Sequence, residues 1–271
     1  MKLLKTKGWV RSALTALIGV GAAAPMYGST IVVTYEPAGV QAANPAALCG
    51  TDTECWVGTE AFNSWNGNAP FATTFPTTDA SIGGLTGGIS GTYTGSLTRS
   101  NNVQYGGAGG TGYYATVTHS TYTLALTVSG GVPGVNYFGL WFSALDAGNE
   151  LQFYDSGTLV YTFTPAMFMQ LVGNCPGSAF CGNPNNGDDG SEQFAFLNFF
   201  DQGGYFDQIV FTETTNAGFE SDNHTVAYMN PVTPSGTVIP GPAPEPGSFV
   251  LLSLGALSLL GLKRRRSARG C

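Results

Sequence analysis

Apolar and polar residues alternate with a period of two along much of this chain. Between Ser120 and Ser129, Tyr122, Leu124, Leu126 and Val128 fall on one side, and Thr121, Thr123, Ala125 and Thr127 on the other. Successive side chains of an extended strand point to opposite faces, so this run predicts a half-buried strand. The segment NYFGLWFSAL, Asn136 to Leu145, is apolar at nearly every position and predicts a central strand covered on both faces. Asn149–Asp155 and Thr158–Thr164 follow, and Ser156-Gly157 between them suits a tight hairpin. Further strands are predicted at Thr30–Glu36, Thr92–Thr98, Tyr113–Val117, Gln193–Phe200, Phe206–Glu213 and Gly218–Tyr228. Pro165–Val172 is the best helix candidate, with proline at its start. Residues 42–76 read as a long irregular loop, and Gly106–Gly110 as a loop too rich in glycine to hold a strand. Together these segments predict an all-β fold, a jelly-roll-like antiparallel β-sandwich of about ten strands over residues 29–230.

Both ends break the pattern. Lys2, Lys5, Lys7 and Arg11 precede the apolar stretch Ser12–Ala24, the layout of a secretory signal peptide over residues 1–28. A proline-rich linker spans 231–243. Beyond it come Pro244, Glu245 and Pro246, then the apolar run Gly247–Leu262, then Lys263, Arg264, Arg265, Arg266 and Arg269. Cations beside an apolar segment stay on the cytoplasmic side, which places everything before Pro244 outside. The apolar run of 16 residues falls short of the roughly 20 that a permanent transmembrane helix requires.

The three-part C-terminus over 244–271 resembles the PEP-CTERM sorting signal of Gram-negative bacteria. That resemblance implies recognition by an exosortase, a membrane protease-transpeptidase that cuts near the motif and discards the tail. The blocks Asn136–Phe163 and Phe196–Tyr228 also resemble a family of exosortase-dependent surface proteins. The family is defined by architecture and sorting, and its implied role is in the cell envelope or the extracellular polysaccharide matrix. The partners so implied are the Sec export machinery, an exosortase and, at the surface, extracellular polysaccharide. The expected location is the cell surface, outer-membrane-associated or extracellular, after transient insertion in the inner membrane.

Setting both end segments aside changes the charge balance. Residues 29–243 hold one cation, Arg99, against sixteen acidic residues, a net charge of −15. Such a surface repels phosphate backbones and excludes nucleic-acid binding as a function. It also opposes unassisted docking on anionic membranes.

Four cysteines fall in this segment. Cys49 and Cys55 enclose five residues, as do Cys175 and Cys181. In an exported chain they read as two disulfides, and the matched spacing favours two local clips among the three possible connectivities.

Candidate chemistry is sparse. The two histidines, His119 in a turn and His224 in the last strand, read as ordinary surface or edge residues. No nucleophile elbow or His-Glu-x-x-His motif occurs, so a non-catalytic role is expected. Asp146, Glu150 and Asp155 flank a hairpin, where aspartate serves turn geometry as readily as a glycosidase. No cofactor is required by the sequence. A structural Ca²⁺ between the first and last strands is the better-motivated site, with Glu36, Glu220, Asp222 and Asn223 as its oxygen ligands. Asn185, Asp188 and Asp189 crowd a second candidate loop. Trp56, Trp65 and Trp141 are candidate sugar platforms for an alternative role as a carbohydrate-binding module or adhesin, with Trp56 and Trp65 also suited to plug a loop against the sandwich.

Overall fold

The computed structural model describes residues 30–50, 55–64, 67–75, 88–101 and 104–241. The alternating segments form two antiparallel sheets packed face to face, the sandwich that the pattern predicts. The larger sheet runs, in spatial order, β14 (Thr237–Val238), β1 (Ile31–Tyr35), β11 (Gln193–Asp201), β8 (Tyr137–Leu145), β13 (Gly218–Tyr228), β6 (Tyr114–Thr118) and β5 (Thr98–Ser100). Its eighth strand, β2 (Trp56–Glu60), pairs with the second half of β13, while β6 pairs with the first half. The smaller sheet runs β10 (Thr158–Phe163), β9 (Asn149–Asp155), β12 (Gln208–Glu213), β7 (Thr121–Val128), β4 (Ile89–Gly95) and β3 (Phe71–Phe75). From β7 to β13 the chain crosses repeatedly between the sheets, the habit of a jelly roll.

The hairpin at Ser156-Gly157 has positive φ at both residues, 50° and 79°, as a type I′ turn requires. The helix α2 (Ala166–Val172) follows Pro165 directly. Three strands, β2, β3 and β14, and the one-turn helix α1 (Pro45–Cys49) lie in segments that read as loop or linker. The strands are five residues or shorter and depend on their neighbours. Gly58 of β2 lies so near β3 that a Cβ there would stand 2.9 Å from the Phe75 carbonyl carbon. Helix α1 is started by Asn44, whose side-chain oxygen accepts the backbone N–H groups of Ala46 and Ala47.

Strands β8 and β11 are buried at every position, unlike ordinary antiparallel strands with one wet face. Their inner side chains, Phe138, Leu140, Phe142, Leu197 and Phe199, pack against the smaller sheet. Their outer side chains are roofed by loops. Trp141, Ala144, Phe194 and Phe196 lie beneath Ala43, Tyr105 and Ala108, and Tyr137 and Phe200 lie beneath Leu48 and Cys55. The disulfides Cys49–Cys55 and Cys175–Cys181 close locally, with Cα–Cα distances of 5.4 and 5.5 Å, as the spacing favours. Each small loop adds about 2 kcal/mol by the chain-entropy argument. Two such bonds fit an oxidising, extracytoplasmic environment.

The edge placement of His224 does not hold. This residue is 0 % exposed, at the centre of the sandwich. The cause is a bulge in β13. Asp222 pairs with Trp141 and Thr225 with Gly139, so β13 spends one residue more than β8 across this interval. Asn223 takes the extra position with φ 47°. Strict alternation would put Ser221 and His224 on opposite faces; the inserted residue turns both inward. His224 Nε2 then lies 2.9 Å from Ser221 Oγ, and Nδ1 lies 3.0 Å from the Tyr93 hydroxyl. Ser221 Oγ in turn lies 3.2 Å from the Tyr122 hydroxyl. A neutral imidazole satisfies this chain in either proton order. The Phe211 ring stacks on the imidazole at 5.0 Å and 3°, and Phe62 meets it edge-on at 4.9 Å. Burial among these rings pushes the His224 pKa down to about 3.

Tyr93→Phe keeps the ring and removes one partner of a fully buried imidazole nitrogen. It is expected to lower the unfolding free energy by about 1–3 kcal/mol, measured by urea titration. An unchanged midpoint and slope would show that the hydroxyl is dispensable.

Candidate functional site

The carboxyl groups with raised proton affinity gather on the outer face of the larger sheet, under its loops. The register explains how they meet. Gln193 of β11 pairs with Leu145 of β8, so the next residues outward, Glu192 and Asp146, stand across from one another. Glu220 of β13 pairs with Ala144 of β8, one diagonal step from Asp146. Side-chain parity puts Glu192 with Phe194 and Phe196, and Glu220 with Asp222, on the outer face. Three carboxylates thus stand on three adjacent strands at one end of the sheet, with no lysine or arginine among them.

Their proton affinities follow. Glu220 is 7 % exposed, and burial, then the charges of Asp146 and Glu192, push its carboxyl up to about 8. Burial followed by Asp146 and Asp189 raises Glu192, and burial followed by Glu213 raises Asp146. Glu192 Oε2 and Asp189 Oδ2 are buried without a hydrogen-bond partner.

Asp222 does different work. Its Oδ2 accepts the backbone N–H of Ala108 at 2.8 Å, and its Oδ1 accepts that of Asn223 at 2.6 Å. Burial raises its carboxyl to about 7 even though both N–H groups pull the other way. The first of these bonds fastens the glycine-rich loop to the sheet. Three more fasteners join it. Ser143 Oγ donates to the Gly106 carbonyl, Gln41 Oε1 accepts from the Gly109 N–H, and Asn63 Oδ1 accepts from the Tyr113 N–H. Gly107 passes so close that a Cβ there would stand 3.1 Å from Asp222 Oδ2.

The four residues expected to hold calcium between the first and last strands do not converge. Glu36 follows β1, and β11 and β8 intervene before β13, a separation of roughly 14 Å at ordinary strand spacing. The Glu36 carboxylate accepts instead from Asn198 Nδ2 at 3.0 Å, beside a cavity of about 130 Å³ shared with Tyr137 and Ser235. Asn223 gives its side-chain N–H to the Gln41 carbonyl. Among the described residues, no three acidic, cysteine or histidine side chains stand close enough to hold a metal ion. In the 183–192 loop, Asp188 accepts from Asn186 within the loop, while Asn185 accepts from Gln41 and Asp189 from Gln104, which ties it to the neighbouring loops.

Trp56 is 3 % exposed against Tyr228, and Trp141 is 1 % exposed under the loops, so neither presents a free ring face. Trp65, the sorting motif Pro244, Glu245 and Pro246, and the basic tail lie outside the described residues. His119 occupies the turn between β6 and β7 with φ 45°, and its Nδ1 lies 2.9 Å from the Thr215 carbonyl. Sequence reading missed the Glu192–Asp146 opposition and the placement of Arg99, whose guanidinium lies 3.5 Å above the Tyr113 ring. The parity of Glu192 with Phe194 was visible in the sequence; its partner across the sheet was not.

The raised carboxyls set a pH dependence. Glu220 and Asp222 keep protons in the fold that the unfolded chain releases near pH 4–4.5, so stability falls as pH rises from there towards about 8. His224, with its pKa lowered, acts in the opposite sense, losing stability as pH falls from 6.5 towards 3. Above pH 6.5 only the carboxylates contribute. Thermal melts between pH 6.5 and 8.5 should show Tm falling, and Glu220→Gln should flatten that limb and raise Tm at pH 8.5 by several degrees, with little change at pH 5. A parent Tm constant across this window would contradict the assignment. The chain matches no family model and no curated protein.

Proposed function

We propose that this protein is an exported, non-catalytic component of the cell surface or extracellular matrix, sorted through its C-terminus by an exosortase. The observation that carries this reading is the order of parts after residue 243: a Pro-Glu-Pro turn, an apolar run of 16 residues, and five cations. The run is short for a permanent span and suits a segment destined for removal. Two local disulfides and a single cation in residues 29–243 support life outside the cytoplasm.

The interior chemistry supports a non-catalytic role. The Ser221–His224 pair has hydrogen-bond geometry that resembles a nucleophile and its base, yet both residues are 0 % exposed within the sandwich. His119 is committed to a turn carbonyl. On this reading the protein acts through its surface and loops, in association with extracellular polysaccharide.

Intact-mass measurement of the protein recovered from outside the producing cells tests the sorting step. The expected chain has lost the residues after the Pro-Glu-Pro motif, and a replacement of Glu245 by Ala should leave the uncut form in the membrane. An exported chain still ending at Cys271 would defeat the proposal.

A further inference from the structure

A half-open hollow of about 340 Å³ lies where β5 and β6 meet the glycine-rich loop. Asn101, Thr111 and Tyr113 line it, with the backbone of four glycines between Gly106 and Gly112. Among the described residues, no charged side chain lines it. Its volume is at the lower end for small-molecule sites, enough for one ring-sized ligand.

Three features make the hollow a formed site. The loop is held by the four fasteners already described, so little ordering remains for a ligand to drive. Tyr113 is half-buried, and its orientation is fixed by Arg99, which lies over the ring and reaches the Phe62 carbonyl at 3.5 Å. The glycines put backbone rather than side chains in the walls, with the Gly106 and Gly107 carbonyls already taken by Ser143 Oγ and the Gly110 N–H. Gly110 and Gly112 have φ of +75° and +90°, and a Cβ at Gly110 would stand 2.8 Å from Asn185 Cβ. A side chain at either position would be strained and would press on the loop's neighbours.

The chemistry of the walls narrows the occupant. One amide, the hydroxyl-bearing Thr111 and Tyr113, the glycine backbone and an aromatic ring combine hydrogen-bonding groups with an apolar surface. A ring carrying several hydroxyls and an apolar C–H face meets both. An anion is disfavoured, since the nearby guanidinium is already engaged and residues 29–243 carry a net charge of −15. The geometry points to a binding site for one neutral pyranose unit between Asn101, Thr111, Tyr113 and the glycine backbone. This site is independent of the export signal and of the acidic row, so it stands or falls separately from the sorting proposal.

The full chain, ¹⁵N-labelled and kept in a zwitterionic detergent, is titrated with methyl glycosides of glucose, galactose, mannose and N-acetylglucosamine. Methyl glucuronide serves as the anionic arm, and an oligosaccharide of any sugar that binds tells a lone ring from a ring within a chain. The expected result is a saturable shift for at least one neutral glycoside at the amides of 101 and 106–113. The exposed replacements Asn101→Ala and Thr111→Val should each weaken that binding roughly three- to tenfold while leaving other resonances in place. Three results would each overturn the inference: no saturable shift at those amides with any neutral glycoside, undiminished affinity in both variants, or tighter binding of the glucuronide.

Discussion

The sandwich is organised around a four-residue polar chain that crosses its core, Tyr93–His224–Ser221–Tyr122. Two members come from β13 of the larger sheet, and the other two come from β4 and β7 of the smaller one. Around it lie the rings of Phe62, Phe138 and Phe211. Buried polar groups of this kind carry a high penalty whenever a partner is missing, which ties each sheet to a single placement over the other. Greasy contacts alone tolerate sliding, whereas a hydrogen bond at 3 Å does not. The turn after β2 obeys the same constraint. Glu60 accepts the Phe62 N–H and the Thr73 hydroxyl, both at 2.6 Å, and so sets Phe62 against the imidazole.

The outer face follows a different rule. Loops cover the centre of the larger sheet because β8 and β11 are apolar on both sides, and outward rings such as Phe194 and Phe196 would otherwise meet water. The same roof draws Glu192, Asp146 and Glu220 out of water at the sheet's end. Their raised proton affinities are therefore a consequence of covering a two-sided apolar strand in a segment, residues 29–243, with a single cation. Asp222 escapes that repulsion in part because backbone N–H groups satisfy it, and through it the roof is fastened.

Legibility in the sequence varied with the range of the interaction. The period-two run of β7, the strand segments of β9 and β13 and the type I′ turn at Ser156-Gly157 are local, and they are readable directly. The doubly apolar Asn136–Leu145 correctly signalled a strand buried on both faces. Strands β2, β3 and β14 were not readable, because segments such as FATTF are too short to hold a pattern and exist through their partners. The calcium quartet failed for a topological reason. The strand read as the last, β13, is followed by β14, and it is β14 that adjoins β1, while β11 and β8 lie between β1 and β13. His224 failed for a subtler one: reading β13 by parity hides the bulge at Asn223, and a single inserted residue inverts every assignment beyond it.

That bulge also joins the two faces of the protein. Up to Asp222, β13 offers acidic groups to the roof; past Asn223 it offers an imidazole to the core. The side chain of Asn223 reaches the Gln41 carbonyl, Gln41 Oε1 accepts the Gly109 N–H, and the Asn223 backbone N–H is held by Asp222. The residue that turns His224 inward is thus itself braced by the glycine-rich loop and its anchor. Positive φ at a non-glycine residue is tolerated where surrounding contacts over-determine it, and asparagine is among the residues that accept it most readily. The loop over the outer face and the polar chain inside the sandwich are therefore held by one short stretch, Ser221 to His224. A change in either is felt first in the backbone geometry they share.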